Sequence, residues 1–217
     1  MPFEGFHRRS SEGNNIARTP LLTYADEQIV AQGWPPYTEM TRRNKGWQVM
    51  NTSALAALVV RPSTVANLTL YNNNTSASKV AFIIDRVFAF NLVNTDAVED
   101  WGVWACIHPT GMTAPTADIT AIKSMSGLAT AYSGGAIVDT GATVADNGWF
   151  PIDSVGSKVG NTGTVTPGTS IAIPIEGRFV IPPTAAISVT IVGSLVGQTF
   201  TTGFSWYETV VPMGDDS

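Results

Sequence analysis

The sequence predicts an all-β protein: a jelly-roll β-sandwich preceded by an extended N-terminal arm that contains at most one short helix. Its 26 Thr, 16 Ser and 12 Asn favour strands, turns and caps over helix interiors. Beyond Asn51, apolar and polar residues alternate in short segments separated by turn residues, as in sandwiches. The single cysteine, Cys106, excludes an internal disulfide framework, so packing must stabilise the fold.

Residues 1–48 are predicted to form an N-terminal docking arm, because they are polar, interrupted by prolines and without strand alternation. Within the arm, Thr23 to Asp26 can act as a capping box for a short helix that runs to about Gln32. The large apolar side chains are too many for a solvated tail and too few for a separate core, so we expect them to dock on a partner. The residues assigned to docking are Phe3, Phe6, Arg8, Arg9, Arg18, Trp34, Tyr37, Arg42, Arg43 and Trp47.

Residues 49–217 are predicted to form the jelly-roll domain. The first group of strands is expected at 53–60, 65–71, 79–93 and 101–108, with turn residues between them. In the third of these strands, Phe88, Phe90 and Leu92 point one way and Ala89 and Asn91 the other, which indicates a half-buried strand. Residues 110–146 are small and polar, and we expect loops and edge strands there.

The last fifty residues show the clearest alternation. Ile171, Ile173 and Ile175 alternate with smaller or polar residues, and a Gly177-Arg178 turn is expected to follow. Two further strands, around 187–191 and 204–211, complete a predicted three-stranded meander. Because Pro174 lacks an amide donor, its strand is predicted to be an edge or bulged strand. Large side chains of the last strand are assigned to the core or a subunit interface: Phe204, Trp206 and Tyr207.

The segment from Phe179 to Val189, together with Gly203 to Glu208, resembles the closing strands of jelly-roll proteins found among bacteriophage structural proteins. Those proteins are related in shape to the trimeric heads of tumour necrosis factor and C1q. The resemblance covers about fifty residues directly and the strand rhythm of residues 50–211 loosely. It implies a virion protein, such as a capsid decoration or cement protein or a head fibre, built as a homotrimer.

Charge argues against nucleic acid as a partner, since the chain carries a net charge of -5. Within residues 1–48, six basic residues are almost balanced by five acidic ones, which suits ion pairs with a protein surface. No apolar run of about 18 residues and no basic and apolar leader are visible. We therefore expect a protein without a membrane anchor that is made in the host cytoplasm.

The sharpest catalytic motif is Asp139-Thr140-Gly141, which follows three apolar residues and is similar to the loop of retroviral-type aspartic proteases. In those enzymes two such loops bring two carboxylates together, so one copy per chain would require a homodimer. The competing interpretation is a turn after a short strand, in which Asp139 bonds its own backbone. The second interpretation is preferred.

Cys106 and His108 lie on one face of a predicted strand and could be imagined as ligands or as a thiolate pair. Apolar neighbours on both faces favour a buried structural cysteine instead. Asp96, Glu99 and Asp100 form an acidic loop that could hold a cation, although a solvated loop is preferred. No metal or cofactor is therefore expected.

Trp149-Phe150, flanked by Asn147-Gly148 and Pro151, is the aromatic pair that the sequence places in a loop. An indole face can pack on a sugar ring, so these two residues are the predicted contact if a glycan binds.

These inferences together predict a non-enzymatic virion structural protein. It would be a capsid decoration or cement protein that docks on the major capsid protein or another virion protein through its arm and trimerises through its β-body. The alternatives are a glycan-binding head of a phage fibre or tail protein and, less favoured, a retropepsin-like protease.

Overall fold

The computed structural model describes residues 21–22, 28–29, 37–93, 98–119, 121–128, 130–158, 170–194 and 197–211. The chain divides into two compact units, Met1–Glu39 and Met40–Ser217. The second unit, called the body here, consists of two antiparallel sheets packed face to face. The predicted all-β sandwich is confirmed.

In the first unit, strands β1 (Leu21–Leu22) and β2 (Gln28–Ile29) pair antiparallel. The prediction of a helix running to Gln32 is wrong at Gln28 and Ile29, which form a strand paired with Leu21 and Leu22. Strand pairing satisfies their backbone hydrogen-bonding groups, whereas an isolated helix of this length is only marginally stable. The rest of that predicted helix, 23–27 and 30–32, lies outside the described residues. A five-residue helix, α1 (Thr38–Arg42), occurs later in the chain.

The strands of the body are β3 (Gly46–Met50), β4 (Leu55–Ala56), β5 (Leu68–Asn72), β6 (Val80–Val93), β7 (Val98–His108), β8 (Lys123–Ser124), β9 (Ala136–Thr140), β10 (Phe150–Lys158), β11 (Ser170–Ile181), β12 (Ala186–Gly193) and β13 (Thr199–Val210). A 3-10 turn (Ser76–Ser78) precedes β6. The six-stranded sheet has the order β11-β6-β13-β3-β8, with β4 also paired to β13, and the five-stranded sheet has the order β10-β7-β12-β5-β9.

The body begins earlier than residue 49. Strand β3 pairs with β13, with Trp47 opposite Trp206, and Trp47 is 5% exposed within the core. Trp47 is therefore a core residue rather than a docking residue of the arm. In β3, Trp47 and Val49 are buried while Gln48 and Met50 are exposed, which is the alternation of a half-buried strand. Arg42 and Arg43 also belong to the second unit.

The predicted meander of the last three strands is wrong. Strands β11 and β13 both pair with β6, whereas β12 lies in the other sheet between β7 and β5. The turn predicted at Gly177-Arg178 is a bulge within β11, where the register shifts between Pro174 and Phe179 and Gly177 has φ 79°. The edge position predicted for the Pro174 strand is confirmed, since β11 ends the six-stranded sheet.

The main core lies between the two sheets. Its largest side chains that are fully shielded from solvent come from β6, β12 and β13 and from their neighbours, among them Phe82, Ile84, Ile187, Phe200, Phe204 and Trp206. The region 110–146 contributes strands β8 and β9, both at sheet edges, as the sequence predicts. Among the described residues, no helix is long and apolar enough to span a membrane.

Candidate functional site

The outward face of the five-stranded sheet is covered by a second, smaller apolar cluster. It is formed by Ala66, Cys106, Ala142, Val144 and Trp149, with Trp104 and Met112 packed against it. The segment that carries Ala142 and Val144 crosses this face beside residues 64–66, to which it is hydrogen-bonded. Both faces of the five-stranded sheet are therefore buried in this region, one against the main core and one under this segment.

Trp149 belongs to this cluster and is only 5% exposed. Its indole N–H donates to the carbonyl oxygen of Ser63 at 2.8 Å. Because the ring faces pack against protein, the glycan contact predicted at Trp149 is wrong for this residue. Phe150 is partly buried and makes an edge-to-face contact with Phe179, with ring centroids 5.9 Å apart, which joins the edges of the two sheets.

A chain of hydrogen bonds runs beneath the cluster along the same face. His108 Nδ1 lies 2.8 Å from Asn147 Oδ1, and Nε2 lies 2.9 Å from Ser188 Oγ. Ser188 Oγ is in turn 2.8 Å from Thr69 Oγ1. With Nδ1–H donating to the Asn147 oxygen, Nε2 accepts from the Ser188 hydroxyl, which itself accepts from Thr69. Every polar atom of the imidazole thus has a partner.

Burial controls the ionisation of this group. His108 is 1% exposed, and burial lowers the pKa of its imidazole, an effect that the hydrogen bond to Asn147 partly opposes. Burial likewise raises the pKa of the Cys106 thiol, whose sulfur lies 4.0 Å from His108 Nδ1. Both groups are therefore held in their neutral forms. The predicted buried structural cysteine is confirmed, since Cys106 is 0% exposed.

Ser188, His108 and Asn147 have the spacing of a nucleophile, a base and an orienting group. A cleft of about 350 Å³ lies beside them, lined by residues 109–113 and 143–145 together with His108 and Asn147. Ser188 is 0% exposed and does not line this cleft. A substrate carbonyl in the cleft has no path to the hydroxyl, so the geometry serves to order β7, β12 and the segment at Asn147.

Asp139 lies in the edge strand β9, opposite Thr69 of β5. Its pKa is raised first by burial and then by the nearby charge of Asp118. The turn after β9, where Gly141 has φ 68°, is held by Asp118, which accepts from the backbone N–H of Thr140 at 3.0 Å and from its hydroxyl. The turn interpretation agrees with this geometry, because the backbone N–H of Thr140 is a hydrogen-bond partner of Asp139 as well as of Asp118.

A second buried polar group ties the loop before β9 to the last strand. Glu208 is 8% exposed, and its Oε1 accepts from the Tyr132 hydroxyl at 2.5 Å and from the Trp206 indole N–H at 3.1 Å. The Tyr132 oxygen also accepts from the Ala136 N–H at 2.7 Å. Burial and the Glu208 carboxylate raise the pKa of Tyr132, so the phenol stays protonated and remains a donor.

The predicted site residues are scattered over the molecule. Phe204 and Trp206 are 0% exposed in the core, and Tyr207 is 7% exposed on the other side of β13. Of the predicted acidic loop, Glu99 and Asp100 belong to strand β7, and Asp96 lies outside the described residues. No three His, Cys, Asp or Glu side chains in the described ranges gather closely enough to hold a metal ion. Six predicted docking residues lie outside the described residues: Phe3, Phe6, Arg8, Arg9, Arg18 and Trp34.

Sequence reasoning missed Asn147, Ser188 and Asp118 as partners in these networks. Asn147 and Ser188 are 39 and 80 residues from His108 along the chain. The alternation of Ser188 and Thr190 with isoleucine and valine marked a half-buried strand, but both residues are 0% exposed. Comparison with models of known protein families and with curated proteins finds no match for this chain.

Proposed function

We propose that this protein is a non-enzymatic virion structural protein of the capsid decoration or cement type, which docks through its N-terminal segment and forms a homotrimer through its body. The observation that carries the proposal is the division of the chain between Glu39 and Met40. Each strand described in the body pairs with other strands of the body, so these ladder hydrogen bonds are made within the second unit. The proposal assigns the first unit the separate role of docking.

The composition of residues 1–39 indicates how this segment would dock. Three arginines, Arg8, Arg9 and Arg18, stand against five carboxylates, because Arg42, Arg43 and Lys45 fall in the body. With charges of both signs in this segment, long-range electrostatic attraction to a particle surface adds little to its binding free energy. The large apolar side chains Phe3, Phe6 and Trp34 would then supply most of the binding free energy, as aromatic anchors do in protein interfaces.

The roles of the catalytic candidates support a non-enzymatic function. Ser188 and His108 are buried from solvent and hydrogen-bond to each other. Ser188 also bonds to Thr69, and His108 also bonds to Asn147. Asp139 sits beside Asp118 in an edge strand whose turn is closed by Asp118. In each case the polar groups hold strands and turns in place. The protein would act mechanically, by adding contact area between neighbouring capsid proteins.

Co-sedimentation of the full chain with purified phage particles that lack the protein tests this function. A Phe3→Ala, Phe6→Ala, Trp34→Ala variant is expected to bind at least about tenfold more weakly, because each lost aromatic anchor costs a kcal/mol or more. The matched control, Arg8→Ala with Arg9→Ala, is expected to bind nearly as well as the native chain. Equal binding by the aromatic variant, or no binding by the native chain, would refute the proposal.

A further inference from the structure

The outward face of the six-stranded sheet carries large apolar side chains from the second half of β6. Val87 and Ala89 are 0% exposed and face the core, as does Asn91. Phe88 and Phe90 alternate with them on the opposite face and are partly exposed, and Leu92 is 39% exposed. In a strand that is buried on one side only, the larger apolar residues ordinarily face the core. The second half of β6 shows the reverse arrangement, with Ala89 and Asn91 inside, whereas Phe82 and Ile84 earlier in the strand face the core.

The strand register gathers these side chains into a continuous surface. Phe88 lies opposite Ala172 of β11 and Gly203 of β13, and Gly203 lies opposite Met50 of β3. These four residues form one uncharged row across four strands, about 14 Å wide at the usual strand spacing. The next row, formed by Ser170, Phe90 and Thr201, is also uncharged.

Gly203 has a specific part in this surface. A Cβ added there would lie 2.6 Å from Met50 Cγ and 2.5 Å from the carbonyl oxygen of Val49. The Met50 side chain therefore lies against the glycine, along the sheet, while remaining 45% exposed. A flexible thioether resting on the sheet surface is well suited to fill gaps against a second apolar surface.

The charges that border this surface cancel. Asp85 accepts a hydrogen bond from Ser205 Oγ at 3.1 Å and lies 3.6 Å from Arg86 Nε, so one carboxylate and one guanidinium are adjacent. A surface with a single sign of charge would repel a copy of itself, whereas one with an adjacent pair of opposite charges does not. The surface is thus compatible with contact between copies of the chain.

We propose that the Phe88 surface, defined by Met50, Phe88, Phe90, Leu92 and Ala172, is the contact between copies of this chain. The inference deepens the proposed function, since it assumes the same oligomer and assigns the residues that form it. The interface assigned from the sequence to Phe204, Trp206 and Tyr207 moves to the neighbouring strands, because those three side chains are buried within one subunit.

The test is the solution mass of the full chain, measured by analytical ultracentrifugation over a range of concentrations. The native chain is expected at the mass of a trimer of 23.0 kDa subunits. A Phe88→Glu variant is expected to dissociate to the monomer at concentrations where the native chain stays assembled, because the interface would then bury an unpaired carboxylate. A Leu128→Glu control, at a residue that is 56% exposed outside this sheet, is expected to keep the native mass.

Far-UV circular dichroism and a thermal melt establish that Phe88→Glu is folded. If it is not, the milder pair Met50→Gln with Leu92→Gln replaces it, since both side chains are already substantially exposed. A native chain that is monomeric throughout, for instance because another protein covers this surface, overturns the inference. So does an oligomer that Phe88→Glu leaves intact. An oligomer that survives Phe88→Glu refutes the Phe88 interface but not docking through residues 1–39. An intact oligomer that does not bind particles refutes docking but not the interface.

Discussion

At the scale of single residues, His108 is buried and hydrogen-bonded through both ring nitrogens. Its two ring nitrogens have partners at 2.8 and 2.9 Å, and 1% of its surface is exposed. Buried polar groups stabilise a fold only while all of their hydrogen bonds are made. The network therefore links the stability of β7 to that of β12 and the segment at Asn147, and it can be tested from either end.

Replacing Ser188 with alanine removes the hydrogen bond to His108 Nε2 and leaves that nitrogen buried without a partner. The free energy of unfolding is expected to fall by about 1–3 kcal/mol, measured by urea denaturation. Ser154→Ala, at an exposed position of β10, is the matched control and should change stability by less than about 0.5 kcal/mol. Equal stability of the two variants would show that the His108–Ser188 bond contributes nothing.

The lowered pKa of His108 predicts a specific pH dependence. The unfolded chain binds a proton near the ordinary value of 6.5, whereas the folded chain resists protonation. Stability contributed by the neutral imidazole is therefore present above about pH 6.5 and is lost as pH falls from there through the folded pKa. The free energy of unfolding, measured from pH 7.5 to 5, should fall more steeply for the native chain than for His108→Gln. Identical slopes would contradict this.

At the scale of strands, the close approach of β3 and β13 depends on Gly203. The added Cβ of Gly203→Ala would lie 2.5 Å from the Val49 carbonyl oxygen, which forces the strands apart. The expected loss is about 1–3 kcal/mol, as for other overpacked sites. Gly102→Ala, where the nearest atom lies at 3.4 Å, is the matched control within β7 and should cost less. Thermal melts of the two variants check this, and an unchanged Gly203→Ala melting temperature would disprove it.

Alternation along the sequence predicts the strands well and their pairing poorly. A period of two residues tells which side chains share a face, and it correctly separates Phe88 from Ala89. It does not tell which sheet a strand joins or which face is turned to the core. Alternation alone did not reveal that β12 joins the opposite sheet from β11 and β13. Nor did it reveal that the Phe88 side of β6 faces outward.

Single residues of the candidate site show the same limit. The spacing of Cys106 and His108 predicts that they share a face, and their apolar neighbours predict burial, which is confirmed. Trp149, next to Asn-Gly and Pro, does lie between strands, but its segment crosses the face of a sheet and buries the indole. Local sequence indicates a loop; it contains no information about what the loop packs against.

At the scale of the whole molecule, the protein would make two kinds of contact. The body would associate with copies of itself through the Phe88 surface, and residues 1–39 of each copy would engage a particle. Binding through several linked segments raises the overall affinity well above that of one segment. A modest interface for each arm would then suffice, which fits a segment with three scattered aromatic anchors and three arginines against five carboxylates.

If residues 1–39 dock on a particle, trypsin will cleave this segment more slowly in particle-bound protein than in free protein. We predict that cleavage after Arg8, Arg9 and Arg18 is at least about tenfold slower on particles, since docking would withhold the backbone from the protease. Cleavage after Arg178, whose side chain is 75% exposed on the body, provides the internal reference and should change less. Equal cleavage rates after Arg8 and Arg9 in free and bound protein would contradict the claim.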